Sequence, residues 1–209
     1  QWLRDKMKII DNASETETIC QSTILPDDLY VVPAFAGLGA PYWDMDAKGA
    51  VYGLTLDSGK NEIVKATVDA LAYQTRDVLE AMTEDSGQLM KELKVDGGAS
   101  ANNYLMQFQA DILNVEVDRP KVLEVTAFGA ALLAGIKAGV WSKDDITSVR
   151  STDIIFKPQM NEHDRFRKYR GWQQAVEGTK TDTINKLFIK EDGLVRFSVL
   201  DRKTQIKRA

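Results

Sequence analysis

Apolar residues recur along this 209-residue chain with two different periods, and the alternation between the two sets the expected architecture. Leu3, Met7 and Ile10 fall at helical spacing within Trp2–Ile10, which reads as a helix already under way, its start lying upstream. Asp11 to Asp28 is polar and carries little core-forming signal. Leu29–Phe35 is an apolar run of strand length. The turn-rich Gly37–Asp44 follows, then Gly49–Leu56 as a second short extended segment. The longest periodic stretch is Asn61–Thr83, where Val64, Val68, Leu71, Val78 and Met82 return at helical intervals with no Gly or Pro between them. Leu93–Asp96 reads as a brief strand ending in Gly97-Gly98. Asn102–Leu113 reads as a helix with Leu105, Phe108 and Ile112 on one face, and Val115–Val117 as a strand before Arg119-Pro120. Thr126–Val140 is an Ala-rich helix in which Gly129 and Gly135 permit close packing against a neighbour. Ile154–Phe156 leads to Pro158, and Glu162–Val176 is a charged helix with Phe166, Tyr169 and Trp172 on one side. Strands alternate with helices and no internal repeat is visible, so the expected fold class is α/β.

Composition narrows the class of protein. Hydrophobic residues make up 44% and charged residues 28%, as in an ordinary globular domain. No apolar run approaches the roughly eighteen residues that span a bilayer, and the charged opening Gln1-Trp2-Leu3-Arg4-Asp5 is unlike a signal peptide. A formal net charge of −4 argues against nucleic acid or an anionic membrane as partner. The single cysteine, Cys20, cannot form an internal disulfide, which suits a cytoplasmic protein. The last segment differs: Thr181–Ala209 carries seven Lys/Arg against four Asp/Glu. There Leu187–Ile189 and Leu194–Phe197 flank Asp192-Gly193, a hairpin signal. Residues 180–209 are therefore read as a basic tail, a hairpin or a disordered end. The chain opens on Gln rather than Met and so reads as a fragment or a processed chain.

The candidate chemistry sits at Asp96-Gly97-Gly98-Ala99-Ser100-Ala101-Asn102. Two glycines after a strand let the backbone turn tightly and approach a ligand, and the helix beyond turns its positive end and free N–H groups to the same gap. Asn102 offers a donor and an acceptor. A plain strand-to-helix turn explains the same residues. His163, among Glu162, Asp164 and Arg165, reads as a solvated helix residue, and Cys20, in a polar stretch without a nearby histidine, is given no role.

Three further segments point to a family. Gly49-Ala50-Val51-Tyr52-Gly53-Leu54 is followed, after seven residues, by Glu62-Ile63-Val64-Lys65-Ala66-Thr67-Val68-Asp69. This resembles the second signature of the FGGY carbohydrate kinases. Its content is structural, so Glu62 reads as a helix-start charge and Asp69 as a polar contact. Val32–Asp44, with Gly37-Leu38-Gly39-Ala40-Pro41-Tyr42-Trp43-Asp44, resembles the stretch found in the glycerol-phosphorylating branch of that family. Its two aromatics read as pins that hold a loop to the core. Tyr73–Met82, Met106–Leu113 and Glu124–Ala131 extend the resemblance, which runs from Gln1 to about Glu177.

The resemblance implies an actin-like, ribonuclease-H-like ATPase domain with a mixed sheet flanked by helices, present in part: residues 1–179, without the domain's first strands. It implies ATP or ADP as ligand, with Mg²⁺ bound through the nucleotide phosphates. It places Gln1, Gly98 and Asn102 on positions that contact the nucleotide. It assigns no catalytic residue and no protein metal ligand to this chain. The phosphate loop, the polyol-gripping residues and the general base of the family belong to an N-terminal kinase domain that the chain does not include. The intact parent would phosphorylate glycerol with ATP, as a homo-oligomer in the cytoplasm, and the isolated fragment would be inactive. Another FGGY kinase acting on a pentose or polyol, or a non-catalytic module retaining the fold, are the alternative readings.

Overall fold

The computed structural model describes residues 1–142, 151–183, 188–191 and 194–197. Trp2–Asp5 forms a single helical turn, α1, rather than the helix expected through Ile10. The chain breaks from helix because Lys8 takes a left-handed conformation at φ 53. The apolar periodicity nonetheless marked contacts, since Leu3 and Ile10 are both buried with Val64. Met7 is left exposed. The polar stretch expected to contribute little to the core holds a helix, α2, at Glu15–Ser22. Glu15 accepts from the Asn12 backbone N–H at 2.8 Å and braces its start. Cys20 is completely buried and Thr16 nearly so. With no basic residue in its last turn, α2 has its terminal carbonyls satisfied by the Lys65 ammonium, which donates to Cys20 O at 2.6 Å and Thr23 O at 2.8 Å.

β1 (Tyr30–Val32) and β2 (Ala50–Tyr52) pair antiparallel, Val31 opposite Val51. Between them the aromatic turn is pinned less fully than expected: Tyr42 packs on the core, whereas Trp43, at φ 52, is 75% exposed. Asp44 secures the other end of the chain by accepting from the Thr181 backbone N–H at 2.7 Å and hydroxyl at 2.9 Å. Hydrogen bonding thus continues past residue 179; Thr183 also donates to Glu177.

α3 (Lys60–Ser86) is the central element. Glu62 accepts from the Gly59 backbone N–H at 2.9 Å and caps its start. Val64 and Val68 are buried as the pattern predicts, but Leu71, Val78 and Met82 are exposed. Further along, the buried side is Ala70, Ala72, Tyr73 and Asp77. Tyr73 and Asp77 meet the last described long helix, α6 (Glu162–Thr179).

The second layer is a βαβ unit. β3 (Glu92–Lys94) runs through a 3₁₀ turn, Gly98–Ala101, into α4 (Asn103–Leu113) and on to β4 (Glu116–Pro120). β3 and β4 are parallel with Leu93 opposite Val117, and β5 (Thr152–Phe156) pairs antiparallel with β4. This gives a mixed sheet of order β3-β4-β5. α5 (Val125–Lys137) lies between β4 and β5 in sequence. Of its two glycines, Gly135 approaches Trp141 closely, a Cβ there falling 2.1 Å from the ring, while at Gly129 a Cβ would meet nothing within 4 Å.

On α6, Tyr169 and Trp172 are buried as expected and Phe166 is 63% exposed. Trp172 stacks on Tyr73 at 5.3 Å, and Tyr73 meets Phe108 edge-on at 5.5 Å. These rings join α3, α4 and α6 in one core. β6 (Phe188–Glu191) and β7 (Leu194–Phe197) pair antiparallel where the hairpin signal lay. Residues 184–187, 192–193 and 198–209 of the basic tail lie outside the described residues.

Candidate functional site

The carboxyl end of β3 is where a βαβ unit opens a crevice. The Val95 N–H still donates to Asp118 O at 3.1 Å, and then the chain leaves the sheet. Gly97 takes φ 76, a left-handed angle that favours glycine, and its N–H donates to Leu123 O at 2.8 Å. Of the two glycines, the positive angle belongs to Gly97 and not to Gly98. Gly98 has a different reason to be glycine. A Cβ there would meet no protein atom within 4 Å, so packing does not demand its absence. The space is a cavity.

That cavity, of about 780 Å³, is lined by Gln1, Gly98 and Asn102 together with residues of α2 and α3. The fold thus brings Gln1 to the same cavity as Gly98 and Asn102, which lie about a hundred residues further along the chain in one turn. Gln1 sits at the start of α1, its carbonyl accepting from Asp5 N at 2.7 Å. Trp2 and Phe35, ring centroids 5.0 Å apart, form part of an apolar wall. Thr67, Val68, Leu71 and Gln74 of α3 also line the cavity, so Leu71 faces the site rather than the core. Mostly apolar walls with a few convergent polar groups are the usual form of a small-molecule site. Asn102 is committed on both sides of its amide. Its Oδ1 accepts from Leu105 N at 2.9 Å, capping α4, and its Nδ2 donates to Thr16 Oγ1 at 3.0 Å.

Sequence reasoning missed three residues here. Thr16 and Glu17 line the cavity from a segment read as featureless. Glu17 accepts from Asn103 Nδ2 at 2.8 Å and from Asn103 N at 3.1 Å, holding α2 to the start of α4. Arg119, read only as the end of a strand, is a buried cation whose guanidinium donates to Ser100 O at 3.1 Å and Asn103 Oδ1 at 2.9 Å. No periodicity announces such a residue. An arginine in a short, charge-rich strand before proline is the single available signal.

The other polar groups of the interior are structural. Asp69 is buried and accepts from Tyr104 Oη at 2.7 Å. Burial pushes its carboxyl up to about 6, against the opposing effects of that hydrogen bond and of Lys65. Asp77 accepts from Tyr169 Oη at 2.7 Å and Trp172 Nε1 at 2.8 Å, and burial raises its carboxyl also. Burial pushes the Cys20 thiol up to about 12, which keeps it protonated and unreactive. The His163 side chain is 86% exposed, a solvated position as expected.

A sequence profile of the FGGY family of carbohydrate kinases, C-terminal domain, matches residues 1–138. The chain belongs to this family, and its α/β fold is the actin-like fold of the family. The relatives are specific in kind. Glycerol kinase of Alkaliphilus oremlandii is 53% identical over 192 residues, 91% of this chain and 38% of the relative. Glycerol kinase of Caldanaerobacter subterraneus subsp. tengcongensis is 57% identical over 178 residues, 85% of this chain and 36% of the relative. Among solved structures, Plasmodium falciparum glycerol kinase with ADP superposes with a TM-score of 0.76 at 36% identity, covering 85% of this chain and 36% of that one. The chain therefore spans little more than a third of the length of the relatives it matches.

Proposed function

We propose that this chain is the nucleotide-binding portion of a glycerol kinase. The intact parent transfers the γ-phosphoryl group of ATP to a hydroxyl of glycerol, giving glycerol 3-phosphate and ADP. The observation that supports this best is the convergence of Gln1, Gly98 and Asn102 on one cavity. In this reading the nucleotide lies against the 3₁₀ turn, where the bare backbone of Gly98 admits it. The apolar wall of Trp2, Phe35 and Leu71 shields the bound molecule from water. The solved relative with ADP and the glycerol kinases at 53% and 57% identity favour glycerol over the pentose alternative.

Among the described residues, no three His, Cys, Asp or Glu side chains gather as a metal site. The Mg²⁺ of this proposal would be bound through the phosphates of the nucleotide and would supply charge neutralisation there. The general base and the polyol-binding groups come from the other domain of the parent, which works in the cytoplasm as a homo-oligomer. The chain's own contribution is to bind and orient the phosphoryl donor. A chimera tests this, with the chain replacing the matching segment of the Caldanaerobacter enzyme. It should release ADP from MgATP only when glycerol is present, and not with D-xylulose. A folded chimera with no glycerol-dependent turnover would defeat the proposal.

A further inference from the structure

We infer that Arg119 is a positioning residue for the nucleotide-side turn, an inference that rests on reading the cavity as the nucleotide site. Arg119 lies on β4 and is 7% exposed. Its Nη1 donates to Ser100 O at 3.1 Å, to Ala101 O at 3.4 Å and to Asn103 Oδ1 at 2.9 Å. Its Nε and Nη2 donate to Asp153 Oδ2 on β5 at 3.0 and 2.8 Å. One guanidinium thus joins the sheet to the second half of the turn whose other side borders the cavity. Two carbonyls of that turn face Arg119, so the turn cannot rotate about its ends without giving up charge-assisted hydrogen bonds.

Asn103 extends the connection. Its Oδ1 accepts from Arg119, and its Nδ2 and backbone N–H donate to the two carboxylate oxygens of Glu17. Arg119, Asn103 and Glu17 therefore bracket Gly98–Asn102 from the sheet on one side and from α2 on the other. A planar fork of donors is required, because a lysine ammonium is a compact point charge that cannot reach both directions at once. Asp153 is 41% exposed at its side chain, so water remains to solvate it if the arginine is changed.

The experiment compares the wild-type chain with Arg119→Lys, Asn103→Ala and a control, Arg76→Met. Arg76 is another well-bonded cation, donating to Glu80 Oε1 and Ile112 O away from the cavity. Three quantities are read: Mg-ADP affinity by calorimetry, melting temperature, and amide hydrogen exchange at residues 98–102 without nucleotide. Arg119→Lys and Asn103→Ala should each weaken ADP binding about tenfold and speed exchange at 98–102. Arg76→Met should lower the melting temperature and move neither of the other two. A folded Arg119→Lys with wild-type exchange at 98–102 overturns the inference. Failure of the wild-type chain to bind ADP would instead defeat the functional reading, and the exchange data would then decide the anchoring role by themselves.

Discussion

Asp69 lies on the buried side of α3 with Tyr104 on one oxygen and is 2% exposed, so its ionisation is tied to the folded state. Its carboxyl titrates near 6 in the fold, against about 4 in an unfolded chain. Between those values the native state binds the extra proton, so stability is greatest below the lower value and falls as pH rises to about 6. Asp77, raised for the same reason, adds to the fall. Asp69→Asn removes one part of it. Relative to wild type, the variant should gain on the order of 2 kcal/mol in stability between pH 4 and pH 6.5. Urea unfolding across that range measures the difference, and a pH-independent difference would show that Asp69 does not titrate as described. The residue scale is also where the sequence was most informative about the site. Gly98 and Asn102 were legible because a glycine pair after a strand and an amide at a helix start are local features. Thr16, Glu17 and Arg119 were not, because their partners lie 86 and 34 residues away in the chain.

Most helices and strands were legible as elements, and the buried face was legible in α4 but only in part in α3 and α6. In α3 the pattern marked Val64 and Val68 correctly, then failed at Leu71, Val78 and Met82. Further along that helix Tyr73 and Asp77 are buried because α6 supplies a Trp that stacks on the ring and a Trp and a Tyr that donate to the carboxylate. Those partners lie more than ninety positions on, beyond the reach of any local window. α2 was missed for the converse reason: its buried side is Thr16 and Cys20, which carry little apolar signal. The α3–α6 contact gives a prediction at this scale. Trp172→Phe keeps the stack on Tyr73 but removes the Nε1–H donated to Asp77 Oδ2. It should cost about 2 kcal/mol, the effect of leaving a buried acceptor short of its donor. A variant as stable as wild type in urea would mean that the hydrogen bond contributes little.

At the scale of the whole molecule, the described sheet has order β3-β4-β5 and leaves β3 bonded on one side. Leu133 of α5 is 69% exposed, and Ile154 and Ile155 of β5 are 40% and 47% exposed. Exposed apolar surface and an edge strand fit a chain that covers 36–38% of the length of its relatives. Phosphoryl transfer needs donor, metal, base and acceptor in one place, and under the proposed function this chain would provide for the donor alone. Alone with MgATP and glycerol it should show no turnover in a coupled assay; about one turnover per second, an ordinary enzymatic rate, would refute that. The central claim is that nucleotide binds where the Gly98 backbone borders the cavity. Calorimetric titration of Mg-ADP into the wild-type chain and Gly98→Val, with folding checked by circular dichroism, tests it most directly. The wild type should bind saturably, and Gly98→Val, whose Cβ would meet no protein atom within 4 Å, should bind at least about tenfold more weakly. Equal affinities in two folded proteins would place the nucleotide elsewhere.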